Sequence, residues 1–155
     1  MNRPEIFQAR VRDVDFGTGV RIVEPCNLYG CRIGDDCFVG PFTEIQKDVV
    51  IGARTRVQSH SFICELVTIG DDCFVGHGVM FVNDTFSTGG PARGNRDLWR
   101  KTVIGSRVSI GSNATIMPVS IVDDVVIGAG AVVTKNITVP GKYAGNPARR
   151  LPADR

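Results

Sequence analysis

Large aliphatic residues recur along this chain with a period of six. From residue 33 to residue 81 every sixth position is aliphatic or aromatic: Ile33, Val39, Ile45, Ile51, Val57, Ile63, Ile69, Val75 and Phe81. The residue four places after each of the first eight is small or β-branched: Cys37, Thr43, Val49, Thr55, Ser61, Val67, Cys73 and Val79. A period of six matches neither the α-helix nor the simple alternation of a strand. It predicts short strands separated by turns, each unit pointing one large and one small side chain inward.

Three such units make one triangular coil, so stacked neighbours lie 18 residues apart. The phrase IGDDCFVG occurs at residues 33–40 and again at residues 69–76, which is a spacing of two whole coils. Strands in adjacent coils are separated by about 4.8 Å, so both copies should share one face at about twice that distance. We therefore predict an all-β fold, a parallel β-helix in which each coil buries its apolar edge on the next.

The repeat is interrupted once and shifted twice. It extends backwards, one residue out of phase, through Ile22 and Leu28. After residue 81 it resumes at Ile104, Ile110 and Ile116, slips by one residue to Ile121, and continues to Ile127 and Val133. The segment from about 84 to 101 is predicted to be a loop extruded from the solenoid, and long loops in compact domains are often functional. Its aromatic and basic side chains suit a planar or phosphorylated ligand, with a solvated flap as the alternative: Phe86, Arg93, Arg96, Trp99 and Arg100.

Composition agrees with this architecture. The 155 residues suit one domain spanning 1–155, with an end turn at about 136–155, and the 18 glycines and 7% aromatic content favour strands and tight turns. A net charge of +2 does not point to nucleic acid or to an acidic membrane surface. No apolar segment follows the first Met, so we expect neither a signal peptide nor a membrane span, and a cytoplasmic location. Five cysteines without CxxC pairs are expected to be buried fillers in a reduced protein.

Three stretches resemble a known family. VVIGARTRVQSHSFIC, VIGAGAVVTKNI and YAGNPARRL are similar to the hexapeptide-repeat acyltransferases, which fold as left-handed parallel β-helices, and the resemblance covers roughly residues 20–151. The stretch QSHSFICELVTIGDDCFVGHGVMFVND looks most similar to N-acetyltransferases of nucleotide-linked 3-amino sugars. The resemblance implies a left-handed helix, acetyl-coenzyme A as cosubstrate, and sugars destined for bacterial surface polysaccharide. It also implies a homotrimer with an active site in each cleft between chains.

The resemblance also indicates where the coenzyme would bind. It assigns the pantetheine arm to the turns GSNA and GAGA, at Gly111, Ser112, Gly128 and Ala129, where small residues permit close approach. Ordinary tight turning is the alternative for these glycines. The phosphates need cations, which the basic C-terminal stretch supplies as Lys135, Arg149 and Arg150.

Candidate catalytic residues follow the second copy of the repeated phrase. Acyl transfer from a thioester needs a nucleophile, a route for its proton and a donor for the oxyanion. His77 lies two places after one inward residue and Asn83 two places after the next, so they should occupy equivalent outward positions on consecutive faces. The 18-residue stacking then predicts one polar cluster: Ser59, His60, His77, Asn83 and Asp84.

The resemblance gives these residues roles. Sugar O-acetyltransferases of the family carry a catalytic His where this chain has Asn83, and the amino-sugar enzymes carry Asn. A sugar amine can attack largely unaided, so that positioning does most of the work. We predict that Asn83 hydrogen-bonds in the reaction centre and that His77 accepts a proton, a corner histidine at the trimer interface being the alternative for His77.

The remaining candidates are predicted to contact the substrate. These are Ser59, His60, Asp84 and Glu44, and a solvated surface acid is the alternative for Glu44. Two other functions stay open, namely an O-acetyltransferase acting on a sugar or small alcohol, and a non-catalytic solenoid subunit. A γ-class carbonic anhydrase needs three histidine ligands and this chain has two, so no metal is expected.

Overall fold

Three parallel sheets surround one apolar core. The computed structural model describes residues 4–5 and 8–152. Face A contains β1 (Val11–Arg12), β4 (Asn27–Tyr29), β7 (Glu44–Ile45), β10 (Phe62–Ile63), β13 (Met80–Phe81), β16 (Thr115–Ile116) and β19 (Val132–Val133). Face B contains β2 (Asp15–Phe16), β5 (Arg32–Ile33), β8 (Val50–Ile51), β11 (Val67–Ile69), β14 (Thr102–Ile104) and β17 (Ser120–Ile121). Face C contains β3 (Arg21–Ile22), β6 (Phe38–Val39), β9 (Arg56–Val57), β12 (Phe74–Val75), β15 (Ser109–Ile110), β18 (Val125–Ile127), β20 (Gly141–Ala144) and β21 (Arg149–Arg150).

The chain visits faces A, B and C in turn, which confirms a parallel β-solenoid and is consistent with the predicted left-handed β-helix. Ile33 pairs with Ile51, and Ile51 pairs with Ile69, so the two copies of IGDDCFVG stand two coils apart as predicted. Some coils are one residue shorter, since Leu28 pairs with Ile45, 17 residues on. These short coils explain the shifts of phase in the sequence. The last strand, β21, turns back antiparallel to β20. The predicted end turn reaches residue 155, and residues 153–155 lie outside the described part.

The inward residues of the repeat form the hydrophobic core. All nine inward residues from Ile33 to Phe81 are at most 2% exposed, and the small residues four places later are at most 3% exposed. The five cysteines are free and buried. Burial raises the pKa of the Cys31 thiol to about 11 and that of Cys64 to about 12. The thiolate is the nucleophilic form, so these residues are core fillers at neutral pH.

The paired acids of IGDDCFVG fasten one corner of the solenoid. The BC corner comprises the turns between face B and face C, among them residues 52–54 and 70–72. Asp71 Oδ1 accepts a hydrogen bond from the backbone N–H of Ala53 at 2.9 Å. Arg54 donates to both oxygens of Asp72, at 2.7 and 2.8 Å, and this lowers the pKa of that carboxyl group. Asp123, Asp124 and Arg107 repeat the arrangement. The acids of the repeated phrase are therefore structural.

Residues 82–101 leave the solenoid between β13 and β14. Strand partners that are 18 residues apart below this point are 35 apart across it, as for Met80 and Thr115. The segment contains one short 3₁₀ turn, Arg96–Leu98. Its extent agrees with the predicted loop. None of the helical structure in residues 4–5 and 8–152 has the length and hydrophobicity of a membrane span.

Neighbouring residues of β11 provide a matched test of the repeat. We expect Ile69→Ala to lower the free energy of unfolding by about 2–5 kcal/mol, because it removes a buried side chain between two coils. Thr68→Ala alters the exposed neighbour in the same strand. It should change the free energy of unfolding by less than about 0.5 kcal/mol. Urea unfolding followed by circular dichroism measures both. Equal effects of the two substitutions would contradict the assignment of inward and outward positions.

Candidate active site

One corner of the solenoid carries a column of small and polar turn residues. The CA corner comprises the turns from face C to face A, at residues 40–42, 58–60, 76–78, 111–113 and 128–130. Backbone hydrogen bonds connect successive turns: Gly78 N–H to Ser59 O at 3.0 Å, Asn113 N–H to His77 O at 2.8 Å, and Gly130 N–H to Ser112 O at 2.8 Å. Ser59, His77, Ser112 and Ala129 therefore occupy the same place in four consecutive coils.

His77 contacts the serine one coil below it. Its Nδ1 lies 2.9 Å from Oγ of Ser59. A hydroxyl can accept a hydrogen bond from Nδ1–H, and in that tautomer Nε2 is free to take a proton. The side chain is exposed at the corner. The geometry thus allows the proton-accepting role predicted for His77, and it gives Ser59 a direct contact with that ring.

The ring of His60 stacks on an aromatic side chain, whereas its neighbour Ser59 contacts His77. The His60 ring lies 4.8 Å from that of Phe42, one coil below, at an interplanar angle of 22°. Both residues have positive φ, 59° for Phe42 and 62° for His60, the left-handed conformation that this turn requires. Sequence reasoning did not single out Phe42. The 18-residue spacing from His60 could have identified it.

Asn83 and Asp84 lie at a different corner, which corrects the prediction of one polar cluster. The AB corner comprises the turns from face A to face B, and β13 runs across face A between His77 and Asn83. The Asn83 Nδ2 donates a hydrogen bond to the backbone oxygen of Glu65, one coil below, at 3.2 Å. The 18-residue rule describes stacking along the axis and says nothing about distance around a coil. Ser59, His60 and His77 are brought together, and Asn83 and Asp84 are not.

Acidic side chains hold the extruded loop in two places, one within the loop and one on the solenoid. The carboxylate of Asp84 accepts hydrogen bonds from the backbone N–H groups of Phe86, at 2.9 Å, and Ala92, at 2.7 Å. Asp84, predicted to contact the substrate, thus organises the loop. Arg96 donates to Asp48 at 2.6 Å, and its guanidinium also lies 3.1 Å from Oε2 of Glu65, an ion pair without hydrogen-bond geometry.

Two of the loop side chains predicted to grip a ligand are already engaged. Arg96 makes these ion pairs, and its guanidinium stands 5.9 Å above the ring of Trp99. Arg100 donates to the backbone oxygen of Asp97. Phe86, at 60% exposed, and Arg93 project into solvent.

The predicted phosphate-binding cations converge at the C-terminal end of the solenoid. Lys135, Arg149 and Arg150 line one cleft of about 240 Å³, together with Tyr143 and the end of the core. Three basic residues thus line one cleft, and the guanidinium groups of two of them donate to backbone oxygens, Arg149 to Ala148 at 2.9 Å and Arg150 to Pro140 at 3.2 Å.

The glycines predicted to approach the coenzyme have a packing role of their own. A Cβ at Gly111 would lie 2.4 Å from the backbone nitrogen of Ala129, and one at Gly128 would lie 2.9 Å from the Cβ of Ala144. The next layer of the solenoid therefore requires glycine at both positions. Ala129 and Gly130 remain exposed at the corner, and Ser112 is half-buried.

Glu44 lies on face A beside a second cleft. Its Oε1 accepts a hydrogen bond from Gln46 at 2.8 Å. The cleft, about 330 Å³, is lined by Glu44, Asn27, Pro25 and Phe42, among others. Among the described residues, no group of three His, Cys, Asp or Glu side chains could hold a metal ion.

Comparison with known proteins agrees with the fold. Residues 30–65 match the family model described as bacterial transferase hexapeptide (six repeats). Residues 66–80 and 101–135 match the hexapeptide repeat of succinyl-transferase. The chain belongs to the hexapeptide-repeat family. The family models leave out the extruded loop.

Individual relatives are distant. The chain is 32% identical over 140 residues to the bifunctional protein GlmU of Paramagnetospirillum magneticum, covering 84% of this chain and 30% of GlmU. It spans about a third of the length of the curated relatives it matches. A mutant of AntD, an N-acyltransferase from Bacillus cereus in complex with dTDP and coenzyme A, superimposes with a TM-score of 0.72 at 19% identity, covering 92% of this chain and 84% of AntD.

A third protein was solved with a thioester bound. The hexapeptide-repeat acetyltransferase VCA0836 from Vibrio cholerae, complexed with acetyl-coenzyme A, has a TM-score of 0.59 at 22% identity, with coverage of 88% and 71%. At such identities these two likenesses concern the fold.

The ion pairs of Arg96 generate a prediction about the loop. We expect Arg96→Ala to speed cleavage by chymotrypsin at Phe86 several-fold, because the loop loses its attachment to Asp48 and Glu65. Arg93→Ala, which changes an exposed arginine of the same loop, is the control and should leave the rate unchanged. Time courses resolved by mass spectrometry identify the site. An unaltered rate in Arg96→Ala would mean that the loop is held by Asp84 alone.

Proposed function

We propose that this protein is an acetyl-coenzyme A-dependent N-acetyltransferase acting on the amine of a nucleotide-linked amino sugar. A 3-amino sugar is the first candidate, and the product would serve surface polysaccharide synthesis from the cytoplasm. The observation that carries the proposal is the CA corner. There, His77 stands directly below Ser112 and Ala129, the turns assigned to the coenzyme arm, and directly above Ser59.

The basic cleft at the end of the solenoid supports the coenzyme assignment. Lys135, Arg149 and Arg150 would bind the phosphates of the coenzyme there. The thioester arm would run from that end towards the middle coils, where His77 and Asn83 lie. VCA0836, a structural relative, binds acetyl-coenzyme A, and AntD binds both coenzyme A and dTDP.

The reaction requires little acid–base chemistry from this chain. The neutral amine attacks the thioester carbonyl, forming the C–N bond and a tetrahedral oxyanion. The oxyanion collapses, the C–S bond breaks, and coenzyme A leaves as the thiolate. The proton released from nitrogen passes to Nε2 of His77 or directly to the departing sulfur. The Asn83 amide would donate to the oxyanion or orient the amine, after exchanging its present contact with Glu65.

The division of the candidates between two corners supports a shared active site. His77, Ser112 and Ala129 lie at the CA corner, while Asn83 and Lys135 belong to turns of the AB corner. A cleft between two chains of a homotrimer would bring the CA corner of one against the AB corner of the next. Each chain would then contribute to two active sites.

A second function, O-acetyl transfer to a sugar or small alcohol, is favoured by one observation. The contact between His77 Nδ1 and Ser59 is the arrangement that a general base needs. A hydroxyl acceptor depends on such a base far more than an amine does.

Activity measurements separate these functions. We expect thiol release from acetyl-coenzyme A with nucleotide-linked 3- or 4-amino sugars, and a loss below about tenfold in His77→Gln, because the amine attacks largely unaided. A loss of about 10²–10⁴-fold with a hydroxyl acceptor would favour O-acetyl transfer. No thiol release with any amine overturns the proposal. No binding of acetyl-coenzyme A in calorimetry would favour a non-catalytic solenoid subunit.

Mixed oligomers test the shared cleft. Chains with Ala129→Trp, which obstructs the CA-corner turn assigned to the coenzyme arm, and chains with Asn83→Ala, each strongly impaired alone, should regain activity when unfolded together and refolded. With random mixing about a quarter of the clefts combine both native side chains. Separately refolded and then pooled samples are the control. Failure of the mixture to exceed that control would mean that both residues act within one chain or that Asn83 is not in the site.

A further inference from the structure

A ligand-sized cleft lies directly below the predicted reaction centre on the CA corner. Its wall includes Phe42, Pro25, Asn27 and Glu44, and its volume is about 330 Å³. Phe42 and Pro25 belong to turns of successive coils, because Phe42 N–H donates to Pro25 O. The mechanism described above makes no use of this cleft.

The aromatic wall of the cleft is unusual for its position in the turn. Phe42 is 57% exposed even though the ring of His60 covers one of its faces. The equivalent positions in later coils are His60, Gly78, Asn113 and Gly130, all with positive φ. A left-handed turn favours glycine and asparagine, so the backbone conformation here is unfavourable for phenylalanine. Its exposure also leaves a large apolar surface in contact with water. More than half of its surface remains exposed, and Phe42 lines the cleft, so the ring is accessible to a planar ligand.

Two polar side chains provide a donor and an acceptor beside this ring. Asn27 and Glu44 are paired neighbours on face A. The amide oxygen of Asn27 accepts a hydrogen bond from Arg12 at 2.9 Å, which directs its NH₂ group to other partners as a donor. Glu44 carries a carboxylate, of which one oxygen already accepts from Gln46. A donor and an acceptor side by side match the hydrogen-bonding edge of a nucleobase.

We infer that this cleft binds the base of the nucleotide-linked acceptor, stacked on Phe42 with its edge on Asn27 and Glu44. The inference rests on the proposed function for the identity of the ligand. Phe42 lies two coils below His77, about 10 Å along the axis, and the sugar and diphosphate would span this interval. The turns assigned to the coenzyme lie on the other side of His77. The two substrates would thus approach the reaction centre from opposite ends of one corner.

Binding of free nucleoside diphosphates tests the site without requiring catalysis. Isothermal titration calorimetry with UDP, dTDP, GDP, CDP and ADP should show binding by the intact protein with a preference among bases. We expect Phe42→Asn to weaken binding about tenfold, because a stacking partner is lost. Asparagine occupies the equivalent turn position at 113, so the fold should tolerate this change, and circular dichroism checks it. Phe42→Tyr should retain binding.

Controls separate this site from the rest of the protein. Phe74→Ala removes an exposed aromatic side chain from face C and should not affect nucleotide binding. Coenzyme A affinity should be the same in Phe42→Asn and in the intact protein. Glu44→Gln should change the preference among the five nucleotides, and an unchanged preference would refute the assignment of the base edge to Glu44.

Two results distinguish this inference from the proposed function. Absence of nucleotide binding at millimolar concentration, or equal binding by Phe42→Asn, overturns the base site even if an amine is acetylated. Conversely, nucleotide binding that depends on Phe42, without acetylation of any amino sugar, retains the base site and overturns the proposed reaction.

Discussion

The stacking of one coil on the next constrains everything else in this molecule. Each face must turn one large side chain inward in every coil, so that residues such as Ile33, Ile51 and Ile69 lie in register one strand spacing apart. The turns obey the same constraint. A Cβ at Gly76 would lie 2.7 Å from the backbone of Ile110 and Ser112 in the coil above. Only outward turn positions and the extruded loop are free to carry chemistry.

The three corners use that freedom differently. The BC corner is occupied by ion pairs such as Arg54–Asp72 and Arg107–Asp124, which repeat along the axis. The AB corner is covered in its lower coils by the loop, through Arg96 and Asp48. The CA corner bears Ser59, His77, Ser112 and Ala129 in its column, so no carboxylate–guanidinium pair has to be broken for a ligand to lie along it. This difference, more than any single residue, supports the CA corner as the proposed binding edge.

The core could be predicted from the sequence because one periodicity decides it. Burial of the inward residues and the contact of Ser59 with His77 both follow from the 18-residue coil. The shifts of phase at Leu28 and Ile121 indicate the 17-residue coils, because a turn shortened by one residue moves every later inward position by one. The strands Val11–Arg12 and Asp15–Phe16 lie outside the predicted repeat, and Phe16, which pairs with Ile33, is 39% exposed at the open end. The separation of Asn83 from His77 was missed because axial stacking carries no information about distance around the coil.

The loop is organised before any ligand arrives. Asp84 fixes its fold from within, and Arg96 reaches back across two coils to Glu65 and Asp48. A free segment of this length would have to lose backbone entropy of about 1–2 kcal/mol per residue on closing over a substrate. A loop already attached avoids most of that cost, and this favours binding by a preformed wall beside Asn83 over a lid that closes. In the proposed homotrimer, substrate entry would then depend on the cleft between chains, because the element beside Asn83 is held to its own solenoid.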